Sequence, residues 1–179
     1  LRRGMRVAVV GPNGAGKTTL MRSILGELAP LVGRIKTGAA VAMGYLSQDH
    51  DYLDRDTDLV DTVRRIRADM SIAETRTLLG SFLFKGDEVF KRIGELSGGQ
   101  RSRVALARLA VQEVNVLVLD EPTNHLDIAS QEVLEDVLAH FDGTFLLVSH
   151  DRYLVQALAT HVWVVEEGIM EVMEGGWGW

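Results

Sequence analysis

The sequence has 179 residues, 46% of them hydrophobic and 25% charged, the composition of an ordinary globular domain long enough to bury a substantial core. A net charge of −6 gives no general attraction for nucleic acid or an anionic membrane, so direct DNA binding is not expected. Cysteine is absent, which excludes disulfides and thiolate metal sites. With no secretory leader at Leu1-Arg2-Arg3-Gly4 and no apolar run of membrane-spanning length, a soluble, cytoplasmic protein is expected.

Met5 to Val10 reads as a buried parallel strand, and Lys17 to Leu28 as a helix with Pro30 marking its end. Gly33 to Lys36 and Val41 to Leu46 are short strand candidates separated by the turn signal Thr37-Gly38. From His50 the texture turns polar and then helical. Ser71 and Glu74 form a capping-box pattern, with Leu78, Leu79, Phe82 and Leu83 as the expected buried side. A helical subdomain is therefore expected near residues 50–95, reaching about residue 112 with the helix Gln100 to Gln112.

Val114 to Leu119 is an apolar strand run. Ile128 to Phe141 carries Val133, Leu134, Val137, Leu138 and Phe141 on one helical stripe. Phe145 to Val148 reads as a buried strand and Arg152 to Ala159 as a helix. Val162 to Val165 and Ile169 to Val172 read as an edge hairpin through Glu167-Gly168. The ending Gly175-Gly176-Trp177-Gly178-Trp179 looks like a linker start or a cut end. The whole reads as an α/β protein, a mostly parallel sheet wrapped in helices with one helical insertion.

The chemistry concentrates in Gly11-Pro12-Asn13-Gly14-Ala15-Gly16-Lys17-Thr18-Thr19, a match to G-x-x-x-x-G-K-[ST] with a strand before it and a helix after it. Glycines let the backbone close around a polyphosphate and aim successive N–H groups inward. The helix adds its positive N-terminal end, Lys17 a point charge for the outer phosphates, and Thr18 a hydroxyl for Mg²⁺. The strand ending at Leu119 delivers two acids to its C-terminal edge, where open α/β sheets bind ligands. Asp120 is a candidate for holding Mg²⁺ through water, and Glu121 for polarising an attacking water. Ser97 is a good N-cap for the helix opened by Gly98-Gly99-Gln100, whose N-terminus attracts anions. Taken alone, Gln48 and His150 are ordinary residues after a strand.

In chain order, the phosphate loop, Gln48, Leu96-Ser97-Gly98-Gly99-Gln100, the strand with Asp120-Glu121, Asp127 and His150 resemble an ATP-binding cassette domain over essentially the whole chain. The resemblance implies the P-loop NTPase three-layer core with a helical signature subdomain, and a MgATP-dependent ATPase working with a partner cassette. It further implies that Gln48 is a lid glutamine touching Mg²⁺ and water, that His150 is a switch histidine on the γ-phosphate, and that Asp127 lies in the loop joining two half-sites. Ser97, Gly98, Gly99 and Gln100 would grip a nucleotide held by the partner, because one phosphate loop covers only one side of ATP.

Glu121-Pro122-Thr123-Asn124-His125-Leu126-Asp127 is similar to the ABC-F type, soluble tandem-cassette ATPases acting on the ribosome. Ser149-His150-Asp151-Arg152-Tyr153 and the terminal Gly-Gly-Trp are similar to the same group, most like a second cassette. His125 itself reads equally as a loop histidine without a chemical role. The family's adenine-stacking aromatic residue is expected upstream of Leu1, so the chain reads as N-terminally truncated. The alternative is the nucleotide-binding subunit of a membrane transporter, which Asn124-His125 argues against. DNA-repair and chromosome ATPases share the Ser-Gly-Gly element but usually carry long coiled coils, for which the interval Gln48 to Leu96 is too short.

Overall fold

The computed structural model describes residues 1–47, 50, 52–124 and 126–175. Its six strands and six helices run β1 (Arg6–Val10), α1 (Lys17–Ile24), β2 (Met43–Leu46), α2 (Leu59–Arg64), α3 (Ile72–Ser81), α4 (Gly98–Val111), β3 (Val116–Asp120), α5 (Ile128–Ala139), β4 (Thr144–Val148), α6 (Arg152–Leu158), β5 (His161–Glu166) and β6 (Ile169–Glu174), with two 3₁₀ turns between α3 and α4. The sheet order is β2-β3-β4-β1-β5-β6. β1 lies between β4 and β5 and pairs with both in parallel, β3 pairs with β4 in parallel, and β6 runs antiparallel to its neighbour β5. The architecture is the mostly parallel α/β fold that the run of apolar strands implies.

The chain divides into two compact units. The first comprises Leu1–Tyr45, Val114–Pro122 and Asp142–Trp179. Its core follows from the two-residue period of the strands. Val7, Val9, Val118, Leu146, Val148, Trp163 and Val165 pack on one side with Met21, Leu20 and Ile24 of α1. Ala8, Val10 and Val162 point the other way and pack with Val155 of α6. β1 is thus covered on both faces, which is why its sequence is apolar without alternation.

The second unit comprises Leu46–Glu113 and Thr123–Phe141. Within it α2 packs on α3 and α4, and α4 on α5. Side-chain caps start its helices: Asp58 accepts from Asp61 N–H, and Ser71 and Glu74 close the expected capping box. Leu79 and Phe82 are buried while Leu78 and Leu83 are half-buried, a narrower buried side than the four-residue expectation. On α5 the buried positions are Ser130, Leu134 and Leu138, with Val133 and Val137 half-buried on the apolar stripe.

Three local expectations are corrected. α1 ends at Ile24 and not at Leu28, because Gly26 takes φ 81° and Glu27 N–H turns back to Arg22 O at 2.9 Å. That glycine terminates the helix before Pro30 can. Residues 33–36 form no strand. Strand propensity is realised only where a neighbour completes the ladder, and the six-stranded sheet does not include this segment. Only the last four residues of Val41 to Leu46 become β2. The terminal hairpin is as expected, and Glu167 and Gly168 both take positive φ, 49° and 79°, the two-residue turn that suits strand twist.

Candidate functional site

The loop between β1 and α1 is set by backbone positions that side chains tolerate poorly. Gly14 and Gly16 have φ 81° and 98°, and Gly16 is the N-cap of α1 with no side chain to close it. The first N–H groups of α1 are therefore left to a ligand rather than satisfied by a cap. Gly11 has φ 149°, and a Cβ there would run into the Val165 carbonyl. Asn13, Gly14, Thr18 and Thr19 are exposed, and Ala15 and Gly16 half-buried. Lys17 is buried in the loop's concavity. Its Nζ donates to Gly11 O at 2.8 Å and to Pro12 O at 2.9 Å. The ammonium is thus held at the loop by the loop's own carbonyls, a charge positioned in advance of any anion.

β3 ends at Asp120, which is only 7% exposed. Glu121 follows at φ 48°, a left-handed conformation that costs a non-glycine residue on the order of 1–3 kcal/mol. Its N–H donates to Val148 O at 2.9 Å, so the chain turns while still tied to β4. Across that tie lies His150. The carboxylate Oε2 accepts from His150 N–H at 3.4 Å, and Oε1 is 3.3 Å from His150 Nε2. Burial pushes the Glu121 carboxyl above the ordinary carboxylate range. The His150 and Lys17 charges pull it down, Asp120 adds to the rise, and burial prevails.

His150 owes its position to the turn before α6. Asp151 N–H donates to Ser149 Oγ at 3.0 Å, and Asp151 caps α6 by accepting from Tyr153 and Leu154 N–H at 2.9 and 3.1 Å. Ser-x-Asp ahead of a helix is a readable signal for such a cap, a role for Ser149 and Asp151 beyond the family likeness of Ser149–Tyr153. No residue pattern foretells the left-handed Glu121.

The first unit therefore contains the loop Gly11–Thr19 together with Asp120, Glu121 and His150. Ser97, Gly98, Gly99, Gln100 and Asp127 belong to the second unit. There Ser97 Oγ accepts from Gln100 N–H at 3.2 Å and Gln100 Oε1 accepts from Ser97 N–H at 2.9 Å, a capping box that opens α4. Asp127 caps α5 by accepting from Ser130 N–H at 2.8 Å, and Ser130, through its side chain first and its N–H second, holds the carboxyl below the usual range. Gln48, His125 and the terminal Gly176-Trp177 lie outside the described residues. Among the described residues no cluster of three or more acids and histidines forms a ready-made metal site. No described helix is long and apolar enough to cross a membrane.

A family model described as ABC transporter matches residues 1–124. The chain is 40% identical over 170 residues to the ATP-binding protein Uup of Escherichia coli (strain K12), covering 93% of this chain and 27% of that protein. It is 38% identical over 181 residues to ABC transporter F family member 5 of Arabidopsis thaliana, covering 100% of this chain and 26% of that protein. The chain thus spans about a quarter of the length of these relatives. Among solved structures it superposes on RNase-L Inhibitor with a TM-score of 0.77 at 25% identity, over 97% of this chain and 35% of that one. A dimeric ATP-binding cassette in a post-hydrolysis state with ADP and Pi gives a TM-score of 0.77 at 22% identity, over 97% and 87% of the two chains, a likeness of fold. With a family model covering its phosphate loop and its β3 carboxylates, the chain belongs to the ABC transporter family as an ATP-binding domain.

Proposed function

We propose that this chain is one cassette of an ABC-F type ATPase that binds and hydrolyses MgATP together with a second, head-to-tail cassette and acts on the ribosome. The observation that carries the ATPase part is the grouping in one unit of Lys17, Asp120, Glu121 and His150 around the end of β3 and the phosphate loop. The fit to a polyphosphate rests on the uncapped N-terminus of α1 and the pre-positioned Lys17 ammonium. The fit to a divalent cation rests on the oxygen donors of Thr18 and the buried Asp120. Mg²⁺, when bound, neutralises charge on the phosphate oxygens.

The protein groups then divide the work. Backbone N–H groups from Asn13 to Thr19 and the Lys17 Nζ hold the phosphates. Glu121, with its carboxyl pKa raised by burial, accepts the proton of the attacking water, and His150 orients that carboxylate through its N–H and Nε2 contacts. Gln48 takes the part of a lid glutamine toward Mg²⁺ and water. Ser97, Gly98, Gly99 and Gln100 face the nucleotide of the partner cassette, and Asp127 sits in the loop joining the half-sites. The helices from about residue 50 to 112 form the signature subdomain inserted in the core.

The ABC-F assignment is supported by Asn124-His125 within Glu121–Asp127 and by a relative named as an F family member. The test is sedimentation of the intact protein through a sucrose cushion with ribosomes, with and without ATP, using Glu121→Gln to hold the bound state. ATP-dependent pelleting with ribosomes is expected. Its absence, with the variant instead retained on a membrane complex, would replace this reading by a transporter subunit.

A further inference from the structure

We propose that His50 is a positioning residue for the nucleotide opposite the signature helix, clamping the segment that follows Gln48 to the first turn of α4. The role presupposes the two-cassette reading above and names a residue which that reading leaves without a function.

His50 Nε2 lies 2.8 Å from Ser102 Oγ, and Ser102 Oγ donates to Gly98 O at 3.2 Å. A hydroxyl has one proton to give. With that proton on Gly98, His50 Nε2–H is the donor, and the order of donation runs from His50 through Ser102 to the carbonyl of the first helical residue. Ser102 is buried, 4% exposed, so the pair is shielded from competing water. The backbone supports the arrangement. His50 takes φ 52°, and its carbonyl accepts from Leu53 N–H at 3.0 Å. A second tie lies one and a half turns further along α4, where the Arg108 guanidinium stacks on the Tyr52 ring at 5.2 Å. Tyr52 in turn meets the His50 ring edge-on at 6.3 Å.

His50 and Tyr52, two and four residues in sequence after Gln48, are therefore each tied to α4. The end of α4 that His50 reaches is the end whose Gly98 and Gly99 N–H groups have no acceptor within the helix. A small rotation of that turn re-aims those donors, and donors that act on developing phosphate charge tolerate little misplacement. The clamp thus sets the aim of the signature turn while contributing nothing to the phosphate loop of its own chain.

The experiment measures steady-state ATP hydrolysis by the intact protein carrying His50→Ala, Ser102→Ala, both together, and His50→Gln. Binding of a fluorescent ATP analogue and thermal melting are measured on each. His50→Ala is expected to lower kcat about fivefold, the factor that one net hydrogen bond supplies. Analogue affinity at the chain's own phosphate loop should stay unchanged. Ser102→Ala should do the same, the double variant should lose no more than either single one, and His50→Gln, which keeps an N–H donor, should recover part of the loss. Unchanged kcat, or losses that multiply in the double variant, would overturn the clamp. If His50→Ala melts early, the Ser102→Ala and His50→Gln pair decides the matter by the same criteria. Lys17→Ala separates the two readings: undiminished analogue binding at this chain's phosphate loop in that variant overturns both, whereas binding lost there with kcat unchanged in His50→Ala overturns the clamp alone.

Discussion

Glu121 and His150, 29 residues apart in sequence, meet twice: Glu121 Oε2 accepts from the His150 N–H at 3.4 Å, and Oε1 lies 3.3 Å from His150 Nε2. The two contacts orient the carboxylate by both oxygens while β4 holds the Glu121 N–H from behind. A base so held has little orientational freedom left to lose before reaction.

Glu121→Gln keeps the shape of this arrangement and removes the proton acceptor. ATP hydrolysis by the intact protein should fall by about 10²–10⁴, the usual contribution of a general base. Nucleotide binding should persist, since the amide also removes a negative charge from the phosphate site. Phosphate release and analogue binding measured side by side check this. Hydrolysis at the wild-type rate would remove Glu121 from its role.

The same carboxyl supplies a pH signature. Burial raises its pKa above 4.5, and a base works only when ionised. The rate should therefore climb with pH through a value above the ordinary carboxylate range, and this acidic limb should vanish in Glu121→Gln. A limb that persists unchanged in the variant would assign it to another group.

Lys17→Ala should abolish nucleotide binding and leave the fold largely intact. The lysine Nζ bonds only loop carbonyls among the described residues, and its charge serves no apolar packing. Fluorescent-analogue titration with thermal melting tests both halves. Undiminished affinity would sink the phosphate-loop assignment.

Gly11→Ala should do structural damage instead. Its φ of 149° disfavours any side chain, and the added methyl meets backbone, the Val165 carbonyl, which cannot swing away. A lowered melting temperature with weakened nucleotide binding is expected, whereas Gly14→Ala, whose Cβ meets nothing within 4 Å, should melt closer to wild type.

In the second unit, Asp54 accepts from Thr57 Oγ1 at 2.6 Å and from Arg65 at 2.9 Å, and its pKa falls from 3.8 to about 2. The Thr57 hydrogen bond is the chief cause, the Arg65 contact the next. A depressed acid pKa means the ionised form is favoured by folding. That stabilisation is complete above pH 3.8 and is lost as pH falls through about 2. Asp54→Asn should accordingly melt below wild type at pH 6, with the gap closing toward pH 2. A gap independent of pH would contradict the linkage.

How much was readable depended on the range of the interaction. Hydrophobic period, caps and glycine punctuation act within a few residues. They therefore determined β1, β4, α4, α5 and the β5-β6 hairpin, the Ser71 capping box, and the family resemblance that the comparison bears out. Where a local signal needed a distant partner, the sequence alone misled. Residues 33–36 have strand character and no ladder to join; the end of α1, by contrast, is set locally by Gly26 ahead of Pro30. The strand order β2-β3-β4-β1-β5-β6 is a tertiary matter, since each parallel pairing joins segments separated by a crossover. So are the approach of Val165 to Gly11, the left-handed Glu121 beside His150, and the His50-to-Ser102 bond. Residue types and spacing determined which groups this chain has for phosphate chemistry. Only packing decided which of them touch, because contact between distant segments is chosen by the burial of the whole core and not by either segment alone.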